Sequence, residues 1–188
     1  MQTENTEVTP NLDLDQYNRL AQVTLSDGFH VEDAATQAAA ATIIENFLEA
    51  GRQLDKLKKV LYYGKTPEIL GADYVDYLKD DSLSNLTPLQ QRLLHGAIGI
   101  ATESVEILEQ VHGHVASKGT KELDVYNLGE ELGDVAWYQA IFLRDLKLDY
   151  YRILTTNIKK LAARFGDKFS AFRANNRDLT TERGILEA

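Results

Sequence analysis

Apolar residues recur along most of this chain at three- and four-residue intervals with few alternating stretches, a pattern that predicts helices throughout. Leu14, Tyr17, Leu20 and Ala21 mark a first short helix within residues 12–25, which Asp27-Gly28 ends. A long alanine-rich helix is predicted over residues 32–62, closing at Gly64, with a short one after Pro67. Its apolar positions Ile44, Phe47, Leu48, Leu54, Leu57 and Leu61 read as packing. Ser84-Asn85-Leu86-Thr87-Pro88 is a helix start, with Thr87 as N-cap and Pro88 in the first turn, and that helix should run to about residue 115. Gly113 and residues 117–120 mark its end and a loop. Further helices are predicted over residues 125–146 and 150–165, then a polar tail with a terminal helix near residues 181–186. The expected fold is all-α: a flexible tail at 1–11, then one domain over 12–188, with a core at 88–165 and an extra helical segment at 32–80. Residues 37–66 and 95–120 share a faint alanine-and-glutamate texture that resembles a duplication.

Composition narrows the function. The 188 residues carry a formal net charge of −9 with scattered basic residues, which argues against a duplex-binding face. Cysteine is absent, excluding disulfides, thiolate nucleophiles and cysteine zinc sites. No stretch approaches the ~18–20 apolar residues that span a bilayer, and no signal segment opens the chain, so neither membrane nor nucleic acid polymer is an expected partner. A cytoplasmic address is expected.

Three helical stripes carry candidate chemistry. Arg92, Gly96, Gly99, Glu103, Glu106 and Gln110 follow 4, 3, 4, 3, 4 spacing and share one side of a helix. The opposite arc, Leu93, Ala97, Ile100, Ala101, Leu108 and Val111, is expected to face the core. Glycines within a helix need a reason: room for a bound group, or close helix packing. Asn127, Glu131, Asp134 and Tyr138 form a matching stripe on the next helix, and Asn157, Lys160 and Arg164 a third. A lone Glu-x-x-Glu reads as a solvated face, but Ile100 and Ile107 flank Glu103, and Val135, Trp137 and Phe142 surround the second acidic pair. Glu103, Glu106, Glu131 and Asp134 gathered between two helices repel one another and would bind protons or a cation. Oxygen-only ligands suit Mg²⁺ or Mn²⁺. Lys160 and Arg164 can meet phosphate oxygens that metal leaves uncovered.

These residues resemble the MazG-like family of all-α nucleotide pyrophosphohydrolases, related to the dimeric dUTPases. The family signature, Glu-Glu-x-x-Glu followed by Glu-x-x-Asp, is matched by Thr102-Glu103-Ser104-Val105-Glu106 and by Glu131-Leu132-Gly133-Asp134. The likeness extends through residues 94–99 and 157–165, weakly through 176–183, and to Leu14-Asp15-Gln16-Tyr17. It departs at Thr102, where the family has a glutamate, which leaves the number of ions open at one to three per site. The segment from 32 to about 80 exceeds the family core, and a lid, a base-selecting wall or a dimer surface are open roles for it.

The resemblance implies a MazG-like bundle with its metal site between two central helices. It implies hydrolysis of a nucleoside triphosphate, expected to be a deoxynucleotide, to monophosphate and pyrophosphate. Glu103, Glu106, Glu131 and Asp134 would hold the metal, and one of them or Glu130 would take the proton of the attacking water. Asn157, Lys160 and Arg164 would steady the phosphate tail. Tyr138 or Trp137 would meet sugar or base, with core packing the alternative for both. A homodimer or homotetramer is implied as well.

Two competing readings stand beside this. Glu109 and His112 form the Glu-x-x-His of di-iron carboxylate bundles, with His114 nearby, but no second such motif occurs. His112 and His114 otherwise fit a helix C-terminus, where positive charge is favoured. The other is a non-catalytic helical interaction protein whose acidic face keeps it in solution.

Overall fold

A computed structural model describes residues 12–26, 28–71 and 83–188. The expected tail at 1–11, Asp27 of the first break and the part of the extra segment at 72–80 lie outside the described residues. All regular structure among the described residues is helical. The helices are α1 (Leu14–Gln22), α2 (Ala34–Tyr63), α3 (Pro88–Ala116), α4 (Val125–Asp145), α5 (Tyr150–Phe165), α6 (Ala171–Asn175) and α7 (Leu179–Glu187), with a 3-10 turn at Pro67–Leu70 after α2. Among the described residues no helix is long and apolar enough to cross a membrane.

Short polar side chains set the helix starts. Asp13, Asp33, Asp124, Asp149, Ser170 and Asp178 each accept a hydrogen bond from a first-turn amide, covering donors that lack a helical partner. Thr87 does so within a full capping box: its hydroxyl accepts from the Gln90 amide while the Gln90 side chain accepts from the Thr87 amide. Gly64 ends α2 with φ 68°, the left-handed conformation that a side chain disfavours.

The residues expected as one domain cluster into two compact units, residues 31–147 and a smaller unit made of both chain ends, residues 1–30 and 148–188. In the larger unit α3 packs against both α2 and α4, so it is the central rod. Its buried positions are Gly96, Ile98, Gly99, Thr102, Glu103 and Val105. This corrects the expected facing of α3, because the arc Leu93, Ala97, Ile100, Ala101, Leu108 and Val111 is half-buried or exposed.

Backbone proximity explains the inversion. A Cβ on Gly99 would lie 2.2 Å from the Tyr138 ring, one on Gly96 2.7 Å from Phe142, and one on Gly51 of α2 2.4 Å from Val105. The glycines let the neighbouring helices close on this side of α3, and the face that permits approach becomes the interior. Of the α2 positions expected to pack, Leu48 is buried, whereas Phe47 and Leu61 are 51% and 42% exposed.

In the smaller unit α5 is central, with α1, α6 and α7 packed on it. Leu12, Leu154 and Ile158 form its core, joined by Tyr17, Leu20 and Ala21. Arg164 of α5 and Arg177 both donate to the buried Glu182 of α7. Hydrogen bonds from Arg164 and then Arg177 hold the Glu182 carboxyl down at about 2.

Candidate metal centre

The carboxylates of the two acidic stripes meet. α3 and α4 run beside each other, and the 3–4 spacing on each turns its acids toward the partner helix. Glu103, Glu131 and Asp134 each place a carboxylate oxygen within 4.8 Å of the others. Glu103 and Glu131 are buried at 6% and 5% exposure, while Asp134 is exposed. Glu106 is exposed on the turn after Glu103 and lines the adjoining cavity.

Burial and neighbouring carboxylates both disfavour ionisation here. Burial, followed by the Glu106 charge, pushes the Glu131 carboxyl up to about 7, against the Asn127 side-chain amide that donates to its Oε1. Burial and then the charges of Glu103 and Asp55 also raise Glu106. Acids that resist ionisation this way are stabilised as anions by a cation among their oxygens.

The chain itself supplies one cation that the sequence pattern did not single out. Lys58 of α2 is 4% exposed, and its Nζ donates to Glu103 Oε1 and Thr102 Oγ1, both at 2.8 Å. Asp55 Oδ1 lies 3.4 Å from the same nitrogen. Burial alone would lower the Lys58 pKa, but the hydrogen bond and charge of Glu103 override it and raise it above the ordinary lysine value. Leu48, Gly51, Asp55, Lys58 and Tyr62 fall on one stripe of α2 at 3, 4, 3, 4 spacing. A lysine interrupting that half-apolar stripe was the signal available.

Beside the carboxylates lies a cavity of about 420 Å³. α2 lines it with Arg52, Lys56 and Lys59 around the single acid Asp55, and Glu106, Glu109 and Glu131 line it from α3 and α4. Arg52 also pairs with Glu109 at 2.9 Å, and Lys59 with Asp55. A cationic wall facing an acidic one can hold an anion and its counter-cations together.

The aromatic candidates occupy different settings. Tyr138 is buried at 5% exposure, its hydroxyl 3.0 Å from that of Tyr63 and its ring against Gly99, so it packs α4 on α3. Burial and the Tyr63 hydrogen bond push its phenol up to about 12. Trp137 is 59% exposed and meets the rings of His95 and Tyr138 edge-on. His95 stacks on Tyr62 with ring centres 4.0 Å apart, and burial followed by the Lys58 charge keeps it below the ordinary histidine pKa.

Asn157, Lys160 and Arg164 belong to the smaller unit, all half-buried on α5. Arg164 is engaged by Glu182 there. Glu109 is held by Arg52, and His112 Nδ1 lies 3.5 Å from Glu45, so these two residues of the di-iron reading each have a partner on α2. Glu130 is exposed on α4.

Comparison with protein-family models, with curated proteins and with solved structures finds no match to this chain.

Proposed function

We propose that this protein hydrolyses a nucleoside triphosphate to nucleoside monophosphate and pyrophosphate with the help of Mg²⁺, for which Mn²⁺ can substitute. One observation carries the reading: Glu103, Glu131 and Asp134, on two facing helices, bring their oxygens within 4.8 Å of one another beside an open cavity. The donor set fits a hard divalent ion, since every ligand is a carboxylate oxygen, and burial followed by the Glu106 charge holds the Glu131 proton up to about 7. The resemblance of residues 102–106 and 131–134 to the pyrophosphohydrolase signature supplies the reaction class.

Glu103, Glu131 and Asp134 would hold the metal, with Glu106 within reach from the next turn of α3. A bound divalent ion supplies charge neutralisation at phosphoryl oxygens and acidifies a coordinated water. Arg52, Lys56 and Lys59 line the cavity, and in this reading they would receive the phosphate tail, neutralising oxygens that the carboxylates would repel. Asn157, Lys160 and Arg164 keep their proposed part in phosphate binding on the strength of the resemblance alone. Glu106 lines the cavity with a raised pKa, which suits it to take the proton from the attacking water. Trp137, exposed next to the buried Tyr138, offers a face for sugar or base. A deoxynucleotide is the proposed substrate, and pairing of two or four chains is proposed with it. Val125, Tyr126, Leu132 and Trp137, all more than half exposed on α4, support pairing, and light scattering measures it.

The test is a panel of ribo- and deoxyribonucleoside triphosphates incubated with Mg²⁺ or Mn²⁺, with monophosphate and pyrophosphate quantified. The expected result is equimolar release of the two, abolished in Glu131→Ala/Asp134→Ala with helical content kept. Release of orthophosphate instead, or turnover unchanged in the double variant, would refute the proposal.

A further inference from the structure

The carboxylate centre contains a cation that belongs to the chain. An ammonium has three N–H donors. Lys58 donates to Glu103 Oε1 and Thr102 Oγ1 at 2.8 Å each, and Asp55 Oδ1 pairs with the same nitrogen at 3.4 Å. Thr102 is 1% exposed and donates its own hydroxyl proton to the Gly99 carbonyl at 2.9 Å, leaving a lone pair for Lys58. Removing an ammonium from water costs several kcal/mol unless its partners are fully arranged. Here three oxygens from two helices are arranged around it, in contact with the most buried acid of α3.

Thr102 has a second meaning in this setting. It stands where the pyrophosphohydrolase signature has a glutamate, so a neutral oxygen accepting from an ammonium replaces an anionic oxygen able to bind metal.

Resting on the proposed metal centre, we infer that the Lys58 ammonium fills one of the cation positions of this site. The nucleotide-free protein therefore takes up a single divalent ion, at Glu103, Glu131 and Asp134. Lys58 is a positioning residue in this view: it fixes one oxygen of Glu103 and leaves the other for metal. If it were only a strut between α2 and α3, its loss would change stability and nothing else.

Counting bound Mn²⁺ on the full chain without nucleotide, by electron paramagnetic resonance of the free ion, separates the two. The wild type should bind one ion per chain. Lys58→Met should bind Mn²⁺ at least about tenfold more tightly, because a like charge has left the site. Lys58→Met/Thr102→Glu should bind two ions, and Lys58→Arg should still bind one. Two or more ions on the wild type would overturn the inference, even if Lys58→Met failed to fold. So would a folded Lys58→Met with a lower melting temperature but unchanged Mn²⁺ affinity. Absence of Mn²⁺ binding by the wild type would instead remove the metal centre itself, whereas wild-type turnover with an ion count above one would remove only the role of Lys58.

Discussion

Gly99→Ala adds one methyl group where α3 and α4 approach, and the structure sets the size of the effect. The new carbon would lie 2.2 and 2.3 Å from two carbons of the Tyr138 ring. Carbon atoms in contact settle at about 3.5–4.0 Å, so ring or helix must move by more than about 1 Å. The ring has little freedom, being 5% exposed with its hydroxyl held by Tyr63. Alanine gains about 1 kcal/mol of helix propensity over glycine, whereas overpacking costs roughly 1–3 kcal/mol or more. The net expectation is a loss of up to about 2 kcal/mol, with weaker Mg²⁺ binding because Glu103 and Glu131 are forced apart. Gly129→Ala and Gly133→Ala on α4 are the controls, since a Cβ at either meets nothing within 4 Å. Each should gain up to about 1 kcal/mol. Urea unfolding of the three variants, with the slope of the transition checked for constancy, measures all of this. If Gly99→Ala is as stable as Gly129→Ala, the close-approach argument is wrong.

Glu131→Gln tests the charge excess through pH. The folded-state pKa of about 7 lies above the ordinary 4.5, so the wild type carries no penalty below the lower value, a growing one between them and the full one above. The variant should match wild type near pH 4.5 and be the more stable at pH 8 in chelator, by urea titration, and Mg²⁺ should erase its advantage. Glu182→Gln should behave oppositely. The wild-type group titrates at about 2 instead of 4.5, so its contribution is present above pH 4.5 and lost as pH falls toward 2. Thermal melts should show the variant destabilised at pH 7 and level with wild type near pH 2, and an equal melting temperature at pH 7 would discount the Arg164–Glu182–Arg177 tie. Thr87→Ala should cost about 1 kcal/mol through loss of the capping box, measured by thermal melting, with Thr87→Ser restoring most of it.

Much of this architecture is legible locally. Thr87-Pro88 announces the start of α3, and Tyr150–Phe165 spans the residues expected for α5, because cap chemistry and periodicity are written in neighbouring residues. Glu103, Glu131 and Asp134 are legible for the same reason: each acid is one turn from another acid on its own helix. What stays hidden depends on approach between helices. The inverted face of α3 follows from glycines that read as weak points in a helix but act as docking positions for Tyr138 and Phe142. Lys58 interrupts a half-apolar stripe, but nothing in its neighbours Lys56 and Lys59 marks it out as the one that meets an acid 45 residues away. The five-residue α6 is too short to leave a periodic trace. The split into two units escapes because no proline- or glycine-rich linker marks either crossing.

That split has a consequence for how the chain is made. The smaller unit draws α1 from the first 30 residues and α5 to α7 from the last 41, while everything between belongs to the larger one. On a ribosome, α1 emerges early and finds none of its intended neighbours until α5 has been synthesised, whereas the intervening stretch can mature from its own sequence. Completion of the smaller core therefore waits for residues 148–188, and a nascent chain stalled near residue 147 would carry α1 with its apolar stripe unsatisfied.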